Sequence, residues 1–159
     1  MSEINVRLAS VEDLKELLDM AIKFFKASPY AQLDELVDTD IVNTIRNTLI
    51  LQSMGKAVIL VSTDTDNKAT GMLAAMASKA MWSENLIATE MAWWVSEDER
   101  KSGVGKKLVE GYEYWAKMVN AKLISLSTLK DLDPEGKLEE FYEKEGYVKA
   151  EQAFVKKVN

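Results

Sequence analysis

The stretch Trp93-Trp94-Val95-Ser96-Glu97-Asp98-Glu99-Arg100-Lys101-Ser102-Gly103-Val104-Gly105-Lys106-Lys107-Leu108 decides how the chain is read. An apolar run with strand character ends at Val95, a charged and turn-prone segment follows, and two glycines open an amphipathic helix. The first N–H groups of a helix lack intrahelical acceptors, and the helix dipole favours negative charge there. Gly103 and Gly105 allow close approach of a ligand to the backbone. Arg100, Lys101, Lys106 and Lys107 gather positive charge around this point. The pattern is that of an anion cradle with the size and charge for a diphosphate. A glycine cap without a ligand has the same local signature, so the rest of the chain must decide.

Outward from the cradle, Leu86–Val95 reads as the strand that feeds it. Val104 to about Val119 is a helix, with Val104, Leu108, Tyr112, Trp115 and Val119 on one face. Lys122–Thr128 alternates like a strand, and the step from strand through helix to strand predicts two parallel, adjacent strands. Ligands of such sheets sit beyond the carboxyl ends of the strands, where the cradle lies. Upstream, Ile4–Leu8 alternates as a strand. Ser10 and Asp13 form a capping box, and a helix runs from there to Ser28-Pro29. A second helix spans about Asp38–Ser53 and closes at Gly55. Ala57–Ser62 and Thr70–Lys79 form a hairpin about Asp64–Lys68, and Trp82–Asn85 is the next turn. Downstream, a polar link leads to a short helix, Lys137–Glu145, stopped at Gly146, and Val148–Val158 reads as a final strand.

The chain has 159 residues, and residues 1–159 are expected to form one domain. It has 20 Lys plus Arg against 26 Asp plus Glu, a formal net charge of −6, so nonspecific nucleic-acid binding is not expected. It contains neither cysteine nor histidine. No metal site is expected, and proton transfer must use Glu, Asp, Lys, Tyr or water. No run suggests a membrane span, and the start, Met1-Ser2-Glu3, lacks a leader pattern; with the absence of cysteine, this fits a cytoplasmic protein.

Arg100-Lys-Ser-Gly103-Val-Gly105 fits R/Q-x-x-G-x-G/A, and Phe141-Tyr142-Glu-Lys-Glu-Gly146-Tyr147 fits F-Y-x-K-x-G-F/Y. With the element order, these two motifs resemble the GNAT superfamily of N-acetyltransferases. Ser28-Pro29-Tyr30 and the segment from Gly146 to Lys156 are similar to its small bacteriophage-type members. The resemblance implies an α/β fold with a mixed central sheet of six to seven strands and about four flanking helices, binding coenzyme A in the opening between two parallel strands. It implies acetyl-CoA as cosubstrate, its pyrophosphate held by Lys101, Ser102, Gly103, Val104, Gly105 and Lys106 beside Arg100. It also implies that the backbone of Trp93, Trp94 and Val95 pairs with the pantetheine arm. The acceptor would be a primary amine on a small molecule, a protein lysine or a protein N-terminus, and the protein a monomer or homodimer.

Amine acetylation needs a base for the ammonium proton and an acid for the departing sulfur. Tyr142 matches the family position of the acid. Glu90 is the candidate base, since a carboxylate inside the apolar strand Ala88–Trp93 has its pKa raised. A regular strand would place Ala88, Ala92 and Trp94 on its face. Glu84 is the alternative base, and catalysis through water alone is a third route. In place of the asparagine that many members carry before the last helix stand Asp131 and Asp133. Phe24, Phe25, Tyr30, Asp34, Glu35, Trp82 and Glu84 are candidates for acceptor recognition, their acids suiting a cation. A second reading, from another class, is a protein of this fold that captures a partner through its acidic surface without transferring acetyl groups.

Overall fold

The computed structural model describes residues 3–158, so Met1 and Ser2 of the start read above lie outside it. Five strands form one sheet: β1 (Asn5–Leu8), β2 (Ala57–Thr63), β3 (Ala69–Lys79), β4 (Leu86–Val95) and β5 (Ala121–Ser125), in the order β1-β2-β3-β4-β5. The first four are antiparallel neighbours, and β5 lies parallel to β4. Four helices complete the fold: α1 (Leu14–Ala27), α2 (Asp38–Ser53), α3 (Val104–Met118) and α4 (Lys137–Lys144). This is the mixed α/β arrangement expected, with five strands instead of six to seven.

The missing strand is the last one. Residues 148–158 carry neither strand nor helix, and Val148, Phe154 and Val158 are exposed. A strand needs an edge to pair with. This segment is exposed, so it buries little apolar surface to offset the entropy of ordering it.

Two apolar layers flank the sheet. Leu17, Met20 and Ile45 of α1 and α2 pack on Val61 and Met72 of the sheet, while Leu108 and Tyr112 of α3 pack on Leu60 and Leu73 on its other face. The corner between β1 and α1 is held by a fork-on-fork pair: Arg7 donates to both oxygens of Asp13, each at 2.8 Å. Asp13 also accepts the Ser10 N–H at 2.8 Å, and Ser10 Oγ accepts from Glu12, so the expected capping box forms. The corner fixes where α1 starts, and its far end carries Phe24 to the site described below.

Two irregularities shape the middle of the sheet. Opposite β3, the partner of Ala74 is Ala92 but that of Ala75 is Glu90, so Met91 is one extra residue in β4. A bulge of this kind reverses which face the following side chains take. Glu90 therefore lies on the α3 face with Ala88, Trp93 and Val95, whereas Ala92 and Trp94 pack on the α1 face. The face expected for a regular strand, Glu90 with Ala92 and Trp94, is corrected accordingly. Second, the β4–β5 ladder ends at Thr89↔Ser125. Leu126–Thr128 were expected to continue the strand, but β4 bulges just past Thr89 and leaves them without a partner. The two chains part there and open a V.

The Arg7 guanidinium holds the Asp13 carboxyl below its ordinary range near 3.8. The stabilisation is thus present above that pH and is lost as pH falls through the lowered folded-state value. Asp13→Asn is expected to cost about 3 kcal/mol in urea unfolding at pH 7, because it leaves Arg7 half-paired. The difference from the parent should shrink below pH 4; a constant gap would show that the charge is not the cause.

Candidate active site

The V opens into a cavity of about 660 Å³ lined from both faces of the sheet. Its floor is the carboxyl half of β4, with Glu90, Met91, Trp93, Trp94 and Val95. One end is the cradle: Arg100, Lys101, Gly103, Gly105 and Lys106. Gly103 caps α3 with φ +91°, a conformation that glycine adopts without strain. The first bond of this turn runs from the Lys107 N–H to the Gly103 carbonyl, which leaves the N–H groups of Val104, Gly105 and Lys106 without intrahelical acceptors. A Cβ on Gly105 would stand 3.1 Å from the Trp93 ring, so the glycine lets the indole pack against the first turn of the helix.

The loop before α3 is tied down from behind. Thr70 Oγ1 donates to the Glu99 carboxylate at 2.7 Å, and the Ser96 N–H donates to the Thr70 carbonyl at 3.0 Å. Arg100 donates from Nε to the Val95 carbonyl at 3.0 Å and lies 4.5 Å from the centre of the Trp94 ring. Lys106 pairs with Glu145 at 3.2 Å, joining the start of α3 to the end of α4.

Glu90 is half-buried at the apex of the V. One of its oxygens accepts from both the N–H (3.2 Å) and the Oγ (2.8 Å) of Ser127. Desolvation raises its pKa, and the two Ser127 bonds oppose that rise. The Tyr142 hydroxyl donates to the Ser127 carbonyl at 2.9 Å, and the Tyr112 hydroxyl to the Ser125 carbonyl at 3.1 Å. Burial, and then the charge of Glu90, push both phenols above their ordinary value of 10.0. Trp93 lies between β4 and α4, its ring 6.3 Å from that of Tyr142 and 6.5 Å from that of Phe141. Its indole Nε1 is buried without a partner among the described residues, a donor left free beside the cavity.

Nine of the twelve residues singled out in the sequence line the cavity: Glu90, Trp93, Trp94, Val95, Arg100, Lys101, Gly103, Gly105 and Lys106. Three do not. Val104 is buried in the core and can offer only its amide. Ser102 turns both its N–H and its Oγ to the Glu99 carbonyl. Tyr142 is buried, with its proton on Ser127. Phe24 and Tyr30 reach the cavity; Phe25, Asp34, Glu35, Trp82 and Glu84 do not. Glu84 instead pairs with Lys79 on an exposed turn, and Asp133 accepts the Leu138 N–H at the start of α4. Ser127 was read only as one residue of an alternating strand. A buried carboxylate on the neighbouring strand needs donors, and that need was the signal for it.

Residues 16–147 match the model of the acetyltransferase (GNAT) family. The chain belongs to that family, whose chemistry is acetyl transfer from acetyl-CoA. Solved structures share its fold at low identity. A transcriptional regulator from Bacillus halodurans C-125 is 18% identical, with a TM-score of 0.77 over 98% of this chain and 100% of that one. Glucosamine-6-phosphate N-acetyltransferase from Arabidopsis thaliana is 17% identical, with a TM-score of 0.72 over 99% and 100%. AAC(6')-Iy, in complex with the bisubstrate analogue CoA-S-monomethyl-acetylneamine, is 14% identical, with a TM-score of 0.75 over 99% of each chain. Among curated proteins, none matches this chain. The free helix N–H groups, the paired glycines and the three cations beside the cavity fit the pyrophosphate of acetyl-CoA. Among the described residues, no helix is long and apolar enough to cross a membrane.

Because the Glu90 carboxylate is raised above its ordinary 4.5, its charge opposes folding. That cost is absent below pH 4.5, grows as pH rises and is complete above the folded-state value. Glu90→Gln keeps an oxygen for Ser127 but removes the charge. It is expected to raise Tm at pH 8 and to leave Tm unchanged at pH 4. A lowered Tm at pH 8 would mean that the carboxylate is needed for the fold.

Proposed function

We propose that this chain is an acetyl-CoA-dependent N-acetyltransferase acting on a primary amine, with residues 1–159 forming one catalytic domain. The observation that carries the proposal is that one cavity joins a half-buried carboxylate, Glu90, to the free N–H groups and cations at the start of α3. Val104, Gly105 and Lys106 would hold the pyrophosphate through their amides, with Gly103 giving it room. Arg100, Lys101 and Lys106 would supply charge there, and the Ser102 bonds to Glu99 keep the loop in shape. The backbone of Trp93, Trp94 and Val95 would align the pantetheine arm. Bound acetyl-CoA supplies an acetyl group activated as a thioester.

Glu90 takes the proton from the acceptor's ammonium group, directly or through water. Its raised pKa suits a base working near neutrality. The freed lone pair forms the C–N bond as the C–S bond breaks. Tyr142, a phenol protonated at neutral pH whose pKa burial raises further, gives the sulfur its proton and regains one from the acylated nitrogen. In the arrangement described, that proton rests on the Ser127 carbonyl, so the acid role requires the phenol to leave Ser127 during turnover.

Acetyl-CoA is expected to raise Tm, and Gly103→Glu, which puts bulk and negative charge in the cradle, to abolish the shift. A folded Gly103→Glu variant with a normal shift would sink the cradle assignment. The chain has no thiol, so coenzyme A release can be followed with a thiol reagent without protein background. Tyr142→Phe is expected to lower kcat about 100-fold while keeping the acetyl-CoA shift. An unchanged kcat with a lowered Tm would leave the hydroxyl only the task of holding Ser127.

A further inference from the structure

The two ends of the cavity differ in charge. The cradle end carries Arg100, Lys101 and Lys106, and Arg100 already occupies one face of Trp94. The rest of the wall is mostly apolar and aromatic, with Phe24 from α1, Tyr30 and Met91 among its residues. Among the described residues that line the cavity, Glu90 is the one carboxylate. Neither Asp34 nor Glu35 lines this cavity. The Asp34 carboxylate accepts the Glu35 N–H at 2.9 Å, and Asp34 lines an adjoining cleft, which shares Tyr30, with Lys156 and Lys157.

An acceptor amine here finds one counter-charge and a wall of rings and thioether. A second or third ammonium drawn out of water here would find no carboxylate partner on the wall, and an unpaired buried charge is strongly disfavoured. A flat apolar body would instead meet the rings of Phe24 and Tyr30, which favour offset or edge-on contact with another ring. We infer that the acceptor is a monoamine with a hydrophobic, ring-sized body, and that Phe24 and Tyr30 select it while Glu90 receives its ammonium group. This rests on the acetyl-transfer proposal and adds to it the class of acceptor.

The test compares coenzyme A release with phenethylamine, spermidine and kanamycin at equal concentration. Phenethylamine is expected to be used with a kcat/KM at least 10-fold above either polyamine. Phe24→Ser and Tyr30→Ser are each expected to raise KM for phenethylamine about 10-fold, with kcat and the acetyl-CoA shift in Tm near the parent values. Equal or better use of spermidine or kanamycin would overturn the acceptor class and leave acetyl transfer standing. So would an unchanged KM in both variants. No release with any of the three amines, in a protein that shows no acetyl-CoA shift, would overturn both.

Discussion

A half-buried carboxylate must find donors, and Glu90 finds two on a single residue, Ser127. That contact spans the gap where the β4–β5 ladder has ended, replacing a backbone bond with a side-chain bridge. The Tyr142 hydroxyl takes the remaining polar group of the same peptide segment, the Ser127 carbonyl. The apex of the V is thus closed by two side chains, one from β4 and one from α4. The V can stay open beyond it without orphaned backbone groups at its narrow end.

The cradle was legible because its rules are local. A glycine with positive φ at a helix start, a second glycine under an aromatic ring and flanking cations are short-range features that one motif captures. Helix bounds and the capping box at Ser10 were legible for the same reason. The orientation of Glu90 was not. It depends on Met91 being extra relative to β3, and register against a partner strand cannot be read from β4 alone. Ser127 was hidden because a serine in an alternating segment looks like a solvent-facing residue. The final strand expected over Val148–Val158 is absent, since apolar residues do not by themselves say whether a free edge waits for them. Asp34 and Glu35 suited a cation by composition, but neither lines the cavity.

The loop from Ser96 to Gly103 hangs from β3 through Thr70 and from β4 through the Val95 carbonyl. Phe24 lies near the far end of α1 and Tyr30 just beyond it, and the start of α1 is pinned by Arg7 and Asp13 on the opposite edge of the sheet. The two supports meet on β3 and β4, where α1 packs on Met72 and Ala74 of one strand and on Ala92 and Trp94 of the other.

The single extra residue at Met91 divides β4. Before it Ala88 and Glu90 face the α3 layer, and after it Trp93 and Val95 do, while Ala92 and Trp94 face the α1 layer. In an unbroken strand Glu90 and Trp93 would take opposite faces of the sheet. One inserted residue therefore sets the carboxylate at the apex of the V and the ring beneath Gly105 on the same side.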